Sequence, residues 1–409
     1  MRTRRLLFVG GSGDPGGLHV HTADVAHAAA ALGNRVKIIA VEEDYFSDIL
    51  PKDIIGVEHI KRLSFQDLTL SLKKYRISRA VRWASVLWRH PGYDIVFCRG
   101  TFAETPIVEL LMARAAFRRI YTIEHFPLAI TWRSRFSKQQ YGAVMNACVR
   151  RTITVSAQLS EVAAREFRIA PDKLRICLNW VDPMFVPPTP AARRLARERL
   201  GLPDGVFAIG YLGRYGPEKN IDILIDAFAA CRRSRPAANT MLVIAGGGWF
   251  RDQVESRVRS SPAAAHIRLV GWQSDPRLIY HALDLFVLPS QVEGFPLSLI
   301  EAMATGLPCI AHPMSSTLDL IHDGRNGLVS DISTANLLCD RLTGLLDADA
   351  ATRSRLGEAA AQTVATLFSR EARLPAVLAA LDIPLAGAGL PPPFPRALRY
   401  RQAASGSEA

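Results

Sequence analysis

Two glutamates separated by seven residues lie in the segment with the densest chemical signal, residues 288–311, LPSQVEGFPLSLIEAMATGLPCIA. The segment follows a strand-like run, DLFVLP, and open α/β sheets bind ligands beyond the carboxyl ends of their strands. Helical periodicity begins near Leu297 and stops at Gly306, a typical signal for a helix end. Glu293 therefore precedes the predicted helix, and Glu301 lies one turn inside it.

The amino end of this predicted helix is suited to a diphosphate. The backbone N–H groups of Leu297, Ser298 and Leu299 would have no partner inside the helix, and together with the helix dipole they would form an anion site. Two flanking carboxylates do not suit a bare phosphate. They suit a ligand whose diphosphate also carries sugar hydroxyls at both ends.

A second segment, residues 208–229, has a strand, a glycine turn and a helix in the sequence AIGYLGRYGPEKNIDILIDAFA. Arg214 and Lys219 are five residues apart in its connecting loop. Two cations so placed can hold the two charges of a diphosphate, Arg through its planar fork and Lys as a point charge. Glu218 is interpreted as their local partner and not as a catalytic group.

Both segments resemble the signature of the retaining nucleotide-sugar glycosyltransferases of family 4, which have the GT-B fold. EGFPLSLIEAMATGLPCIA is similar to the family's pair of glutamates, and GRYGPEKN is similar to its loop with an arginine and a lysine. The resemblance implies that Glu293 contacts the donor sugar near its reacting carbon and that Glu301 binds the ribose hydroxyls. It also implies that Arg214 and Lys219 stabilise the leaving diphosphate.

Two further segments resemble the family. His125 in YTIEHFP matches a Thr-x-x-His loop, which implies a catalytic-site histidine beside the donor sugar; a histidine satisfied in the core is the alternative. LRICLNWVDPMFVPP resembles an Asn-Gly-Val-Asp linker, with Asn179 and Asp182 in place and Trp180 where glycine is usual. Because tryptophan adopts a positive φ only at a cost, the local backbone is expected to differ there.

The loop after the first predicted strand allows two interpretations. Residues 11–16 spell GxGxxG, and the next strand ends at Glu42 and Glu43, which is the outline of a dinucleotide site and gives the alternative function of an NAD(P)-dependent oxidoreductase. However, Glu42 lies 26 residues after Gly16, against about 20 in that motif. Gly16 and Gly17 instead resemble the family's glycine pair, which implies donor or acceptor contact through the backbone.

The net charge of +12 is concentrated in the first half of the chain. Residues 60–90 contain eight Lys or Arg against Asp67, together with Trp83 and Trp88. This pattern suits an anionic membrane face or a lipid-linked acceptor, and the alternative is a solvated basic helix with its tryptophans in the core. Nucleic-acid binding, the third functional class, is disfavoured because no binding module accompanies the charge.

No metal is expected at the site. The signature segments contain no Asp-x-Asp motif, so activity without divalent metal is predicted. A cluster of His19, His21, Asp24 and His27 lacks a convincing metal-ligand spacing and is interpreted as packing or acceptor contact. The six single cysteines indicate reduced thiols, and no apolar run reaches the ~18–20 residues of a membrane span. The expected localisation is cytoplasmic, with peripheral contact at the inner membrane face as an option.

Strand-like runs alternate with helical segments along nearly the whole chain, which predicts right-handed βαβ crossovers and parallel sheets. With the resemblance, the expected fold is GT-B, an α/β architecture of two doubly wound Rossmann-like domains facing each other across a cleft. The expected parts are an acceptor-binding domain (1–182), a linker (183–205), a nucleotide-sugar-binding domain (206–366), a helix packing back toward the first domain (367–383) and a flexible tail (384–409).

The function that the resemblance implies is hexosyl transfer with retention of configuration. The expected donor is a UDP- or GDP-sugar, and the expected acceptor is a glycan or a lipid-linked molecule of bacterial surface polysaccharide or glycolipid synthesis. No cofactor is expected beyond the donor substrate itself.

Overall fold

The computed structural model describes residues 3–10, 17–41, 55–60, 86, 88–100, 107–126, 135–385, 389–391 and 393. These residues form two compact units. The first unit contains the described residues up to Asn179 and those from Arg373 onward, and the second runs from Trp180 to Ala372. The sequence had suggested a first domain ending at 182 and a returning helix beginning at 367.

The first unit is built on a parallel sheet. Its strands are β1 (Arg5–Gly10), β2 (Arg35–Val41), β3 (Ile55–Ile60), β4 (Asp94–Arg99), β5 (Ile120–Glu124), β6 (Arg151–Thr154) and β7 (Leu174–Ile176). They are hydrogen-bonded in the order β3-β2-β1-β4-β5-β6-β7. Its described helices are α1 (Gly17–Ala31), α2 (Ile107–Ala116), α3 (Arg135–Cys148) and α4 (Ala157–Glu166).

The second unit repeats this plan. Its strands are β8 (Phe207–Leu212), β9 (Thr240–Ala245), β10 (Ile267–Gly271), β11 (Leu285–Leu288), β12 (Cys309–Ala311) and β13 (Leu328–Val329). They are all parallel, in the order β10-β9-β8-β11-β12-β13. The helices are α5 (Pro190–Arg199), α6 (Ile221–Ser234), α7 (Arg251–Ser260), α8 (Arg277–Ala282), α9 (Leu297–Ala304), α10 (Ser315–Leu318), α11 (Ala335–Asp347) and α12 (Ala350–Leu367).

Each sheet has an inner strand of six residues that is buried along its whole length. All six residues of β4 and all six of β9 are buried, as expected for parallel strands covered by helices on both faces. In the second unit, the buried side chains of Leu224 and Phe228 on α6 belong to one core with Leu242 on β9 and Leu342 on α11. From β8 to β10 successive strands are added on one side of β8, and from β11 to β13 they are added on the other side. This reversal of strand order between β8 and β11 creates a crevice beyond their carboxyl ends.

The last helix among the described residues, α13 (Arg370–Ala380), begins in the second unit and ends in the first. Beyond it, the Asp382 carboxylate accepts hydrogen bonds from Tyr121 Oη (2.8 Å), Arg150 Nε (2.6 Å) and Arg151 Nη1. Arg4 Nη1 donates to the Asp382 carbonyl oxygen at 2.7 Å. The end of α13 is therefore part of the first unit's structure.

Among the described residues, none of the helices is long and apolar enough to cross a membrane.

Candidate active site

A cationic loop connects β8 to α6 and contains Arg214 and Lys219. The Tyr211 hydroxyl donates to the Arg214 carbonyl oxygen at 3.0 Å, which fixes the start of the loop. A 3₁₀ turn, Pro217–Lys219, follows, and Asn220 then adopts a left-handed conformation with φ of 50° before α6 begins. This loop, residues 213–220, is called the clamp loop below.

An acidic loop, residues 289–296, connects β11 to α9 and lies directly against the clamp loop. Three hydrogen bonds join them: Lys219 Nζ to Glu293 Oε1 (2.6 Å), Gln291 N to the Glu218 carbonyl oxygen (3.0 Å) and Asn220 Nδ2 to the Pro289 carbonyl oxygen (3.0 Å). The contact follows from the topology, because β8 and β11 are neighbours in the sheet. The structure thus brings the two signature segments together.

The charged side chains of these loops form ion pairs. Lys219 and Glu293 are largely buried, with 10% and 13% of their side chains exposed. Arg214 Nη2 lies 2.7 Å from Glu218 Oε1, and the arginine side chain is 44% exposed. Burial raises the pKa of Tyr211 well above its usual value, and the charge of Glu293 raises it further. Tyr211 therefore remains a neutral hydrogen-bond donor behind the clamp loop.

Helix α9 begins at Leu297 after Pro296, and no side chain caps its amino end. The sequence had suggested three free N–H groups there, but Leu299 N donates to the Pro296 carbonyl oxygen at 3.1 Å. The helix opens with a tight turn that uses this donor internally, so Leu299 is removed from the set of anion donors. Leu297 and Ser298, both partly exposed, remain in that set.

Glu301 is held by a residue that sequence reasoning missed. Its Oε2 accepts a hydrogen bond from the Tyr280 hydroxyl on α8 at 2.9 Å. Tyr280 is 1% exposed and packs its ring edge against Phe286. This contact fixes the direction of the Glu301 carboxylate. In RLIYHAL the tyrosine has the spacing of an ordinary core residue, so no sequence signal marks it.

His125 follows β5 in the first unit and is half-buried. Its backbone N–H donates to the Arg99 carbonyl oxygen at 3.0 Å, and its ring meets the His21 ring edge-on at 5.0 Å. Burial is the main cause that holds the pKa of His125 well below its usual value, and the neighbouring His21 and His19 lower it further. The imidazole is therefore neutral at pH 7. Glu124 does not orient it, because that carboxylate pairs inward with Arg99, with Oε1 3.0 Å from Nε.

The other candidate positions are described in part. Gly16 and the rest of residues 11–16 lie outside the described residues, as do Glu42 and Glu43, while Gly17 is the first residue of α1. Trp180 is buried and is not among the described residues with positive φ, so the backbone there differs from the glycine conformation considered for this linker.

The described part of the chain contains no group of three or more His, Cys, Asp or Glu side chains that could hold a metal ion. The independence from metal stays a prediction. A cavity of about 860 Å³ in the second unit is lined by linker residues such as Phe185, by the carboxyl end of α9 near Gly306, and by α12. It does not include the clamp loop, so the crevice at β8 and β11 is the site that the charged residues define.

A solved structure shares this fold. HepE of Anabaena, solved in complex with UDP and glucose, aligns with a TM-score of 0.79 and 19% identity, over 93% of this chain and 99% of that chain. This likeness shows the fold, which is the GT-B architecture of two Rossmann-like units.

Two family models match in succession. The one described as Glycosyltransferase Family 4 covers residues 15–185, and the one described as Glycosyl transferases group 1 covers residues 192–363. The chain belongs to glycosyltransferase family 4. This assignment decides against the oxidoreductase interpretation of residues 11–16, since that loop and α1 fall in or beside the first match.

Two named enzymes are similar in sequence. The D-inositol 3-phosphate glycosyltransferase of Stackebrandtia nassauensis is 26% identical over 387 residues, which are 86% of this chain and 83% of that protein. The UDP-Gal:alpha-D-GlcNAc-diphosphoundecaprenol alpha-1,3-galactosyltransferase of Escherichia coli is 27% identical over 201 residues. That second match spans 49% of this chain and about half (52%) of the Escherichia coli enzyme.

Proposed function

We propose that this glycosyltransferase transfers a hexose, with retention of configuration, from a UDP- or GDP-sugar to a glycan or lipid-linked acceptor. The observation that carries the proposal is the contact between Lys219 and Glu293. It brings a cation suited to a leaving diphosphate and a carboxylate suited to sugar hydroxyls to one crevice.

The leaving diphosphate is stabilised by fixed positive groups. As the bond to the anomeric carbon breaks, negative charge grows on the diphosphate. Arg214, Lys219 and the N–H groups of Leu297 and Ser298 stabilise this charge. Electrostatic stabilisation of this kind is usually the largest single contribution to catalysis. The proposal assigns this task to these groups and not to a divalent metal.

The two glutamates have separate tasks. Glu293 accepts hydrogen bonds from the donor sugar and keeps its reacting carbon in place. Glu301, fixed by Tyr280, accepts hydrogen bonds from the ribose hydroxyls. The acceptor attacks from the face of the leaving group, the diphosphate assists in removing the acceptor's proton, and no covalent glycosyl–enzyme intermediate forms. His125, being neutral, contributes a hydrogen bond beside the donor sugar and no charge.

The proposed acceptor is a glycan or a lipid-linked molecule of bacterial surface polysaccharide or glycolipid synthesis. The name of the Escherichia coli relative specifies a diphosphoundecaprenol-linked acceptor, whereas that of the Stackebrandtia relative specifies inositol phosphate. The basic charge of residues 60–90 favours the lipid-linked type for this chain, since such an acceptor carries phosphate at a membrane surface.

The donor is tested by thermal shift with UDP-glucose, UDP-galactose, UDP-N-acetylglucosamine, GDP-mannose, NAD and NADP, each with and without a chelator. A ligand at 100 times its Kd adds about 2.7 kcal/mol, and about 2–4 °C per kcal/mol is expected for units of this size. One nucleotide sugar should raise Tm by several degrees, equally with and without chelator.

Lys219→Met is the matched variant for this experiment, because it keeps the length and apolar stem of the side chain and removes the charge. It should lose most of the shift. A shift that disappears with chelator would contradict metal independence, and no shift with any nucleotide sugar would contradict the proposed donor class.

A further inference from the structure

Both cations of the clamp loop already lie against carboxylates of the same unit. Arg214 Nη2 is 2.7 Å from Glu218 Oε1, and Lys219 Nζ is 2.6 Å from Glu293 Oε1. These four side chains carry no net charge together. A nucleoside diphosphate brings at least two negative charges. The clamp loop therefore attracts it less strongly than two unpaired cations would. Glu293 has a proposed task on the donor sugar, whereas Glu218 has none.

The structure holds the Glu218 carboxylate in this position. Glu218 lies in the 3₁₀ turn, and its carbonyl oxygen accepts a hydrogen bond from Gln291 N at 3.0 Å, so its backbone is fixed from both loops. Room for the side chain comes from Gly216, because a Cβ atom there would lie 2.5 Å from Glu218 Oε2. The carboxylate is only 17% exposed, less than its arginine partner at 44%. It is therefore turned toward the protein.

The charge of Glu218 reaches the rest of the cluster. The negative charge of Glu218 acts on the Tyr211 hydroxyl, as do the charges of Glu293 and Arg214. Glu218, Glu293 and Arg214 therefore all lie close enough to Tyr211 to interact with it electrostatically. A guanidinium has five N–H donors in a planar fork, so Arg214 can keep its contact with Glu218 and still offer donors to a phosphate. The Arg214 guanidinium then lies between the Glu218 carboxylate and the bound diphosphate, and the carboxylate repels the diphosphate.

We propose that Glu218 weakens the binding of the nucleoside diphosphate and so speeds its release after transfer. The inference rests on the proposed function and adds a second role to the clamp loop. Glu218 is a positioning residue that orients Arg214 and also limits how tightly that arginine holds the product. Product release limits the turnover of many enzymes, so a fixed negative charge at this point favours turnover over product affinity.

The test compares two substitutions by calorimetric titration with UDP and GDP. Glu218→Gln keeps a hydrogen-bond acceptor for Arg214 and removes the charge, and it should bind the accepted diphosphate about three- to tenfold more tightly in low salt. The gain should shrink at about 0.5 M salt, where exposed charges are screened. Glu218→Asp keeps the charge and should bind like the parent.

Asp347→Asn serves as a control for the loss of one negative charge. Asp347 pairs with Arg235 at the carboxyl end of α6, whereas the clamp loop precedes the amino end of that 14-residue helix, about 21 Å away. The affinity of the Asp347→Asn variant for the diphosphate should equal that of the parent protein. Stopped-flow displacement should show slower dissociation for Glu218→Gln only.

The outcomes separate this inference from the proposed function. If the parent protein binds neither UDP nor GDP, the proposed function fails. If the parent binds one of them and Glu218→Gln binds it equally or more weakly, the role of Glu218 is overturned and the donor class stands. Equal tightening in Glu218→Asp would also overturn it, because that variant retains the charge.

Discussion

Asn220 joins the clamp loop to the acidic loop through a single buried amide. Its φ of 50° places it in the left-handed region, which asparagine tolerates better than most residues. Its Nδ2 reaches the Pro289 carbonyl oxygen at 3.0 Å, and the residue is 8% exposed. The adjacent Lys219 depends on this backbone for its approach to Glu293. Asn220 is therefore expected to position the catalytic ion pair.

Asn220→Gly tests that role without straining the backbone. Glycine adopts the same positive φ, so the turn should form, but the Pro289 carbonyl oxygen loses its partner. A buried acceptor left without a hydrogen bond costs about 1–3 kcal/mol of stability. We expect a lower kcat with little change in donor KM, measured by steady-state kinetics alongside thermal unfolding. An unchanged kcat would show that Lys219 does not need this tether.

The charged residues of the site could be read from the sequence, but their partners could not. Arg214, Lys219 and Glu293 stand in loops whose spacing indicates a diphosphate and a sugar. The Lys219–Glu293 contact spans 74 positions and depends on β8 lying beside β11, which spacing alone does not determine. Tyr280 has the pattern of a core residue, and only its hydroxyl contact with Glu301 distinguishes it.

The strands and helices follow closely from the alternation of apolar runs and helical segments. What the pattern left open is the order of strands, which places β8 and β11 side by side and thereby opens the crevice. The start of α9 also needed the structure: the turn at Pro296 uses the Leu299 N–H, a detail of backbone geometry that residue types do not encode.

The basic stretch of residues 60–90 is expected to contact a membrane surface. Most of this stretch lies outside the described residues. Trp88, which is described, is 87% exposed, so its indole does not belong to the core. An exposed indole beside basic residues favours contact with a membrane interface.

We expect the full enzyme to float with liposomes that contain anionic lipid and not with neutral ones. Replacing Lys73, Lys74, Arg76 and Arg79 with Ser should abolish flotation, since each cation near an anionic surface contributes about 1 kcal/mol. The control replaces the same number of exposed arginines in the second unit, namely Arg194, Arg199, Arg233 and Arg259. Flotation that survives the first set, or is lost equally in the control, would contradict the assignment.

At the scale of the whole molecule, Asp382 fixes the end of α13 to the first unit. Hydrogen bonds from Tyr121, Arg150 and Arg151 outweigh the effect of partial burial and hold the pKa of Asp382 at about 2, below its usual value of about 3.8. Because the folded pKa is depressed, the stabilisation is fully present above about pH 4. It is lost as the pH falls from about 4 to 2.

Asp382→Asn should therefore lower stability at pH 7 and flatten its dependence on pH in that acidic range. Asparagine keeps the shape and the left-handed φ of 56° but loses the charge. The pKa difference corresponds to at most about 2 kcal/mol, or a Tm lower by about 4–8 °C. Thermal melts of parent and variant from pH 7 to pH 2 should converge at the acidic end. Parallel curves would show that Asp382 is not the titrating group.

The contact between Arg4 and Asp382 joins positions 378 residues apart. A ribosome adds about 5–20 residues per second, so Asp382 is synthesised roughly 20–75 s after Arg4. The second unit has all its strands and can fold while the first still lacks its last segment. During that interval Arg150 and Arg151 lack the Asp382 carboxylate that pairs with both, whereas Arg4 already has the carboxylate of Asp94. The first unit to be translated is thus the last to be completed, and chaperones that hold nascent chains have their longest opportunity there.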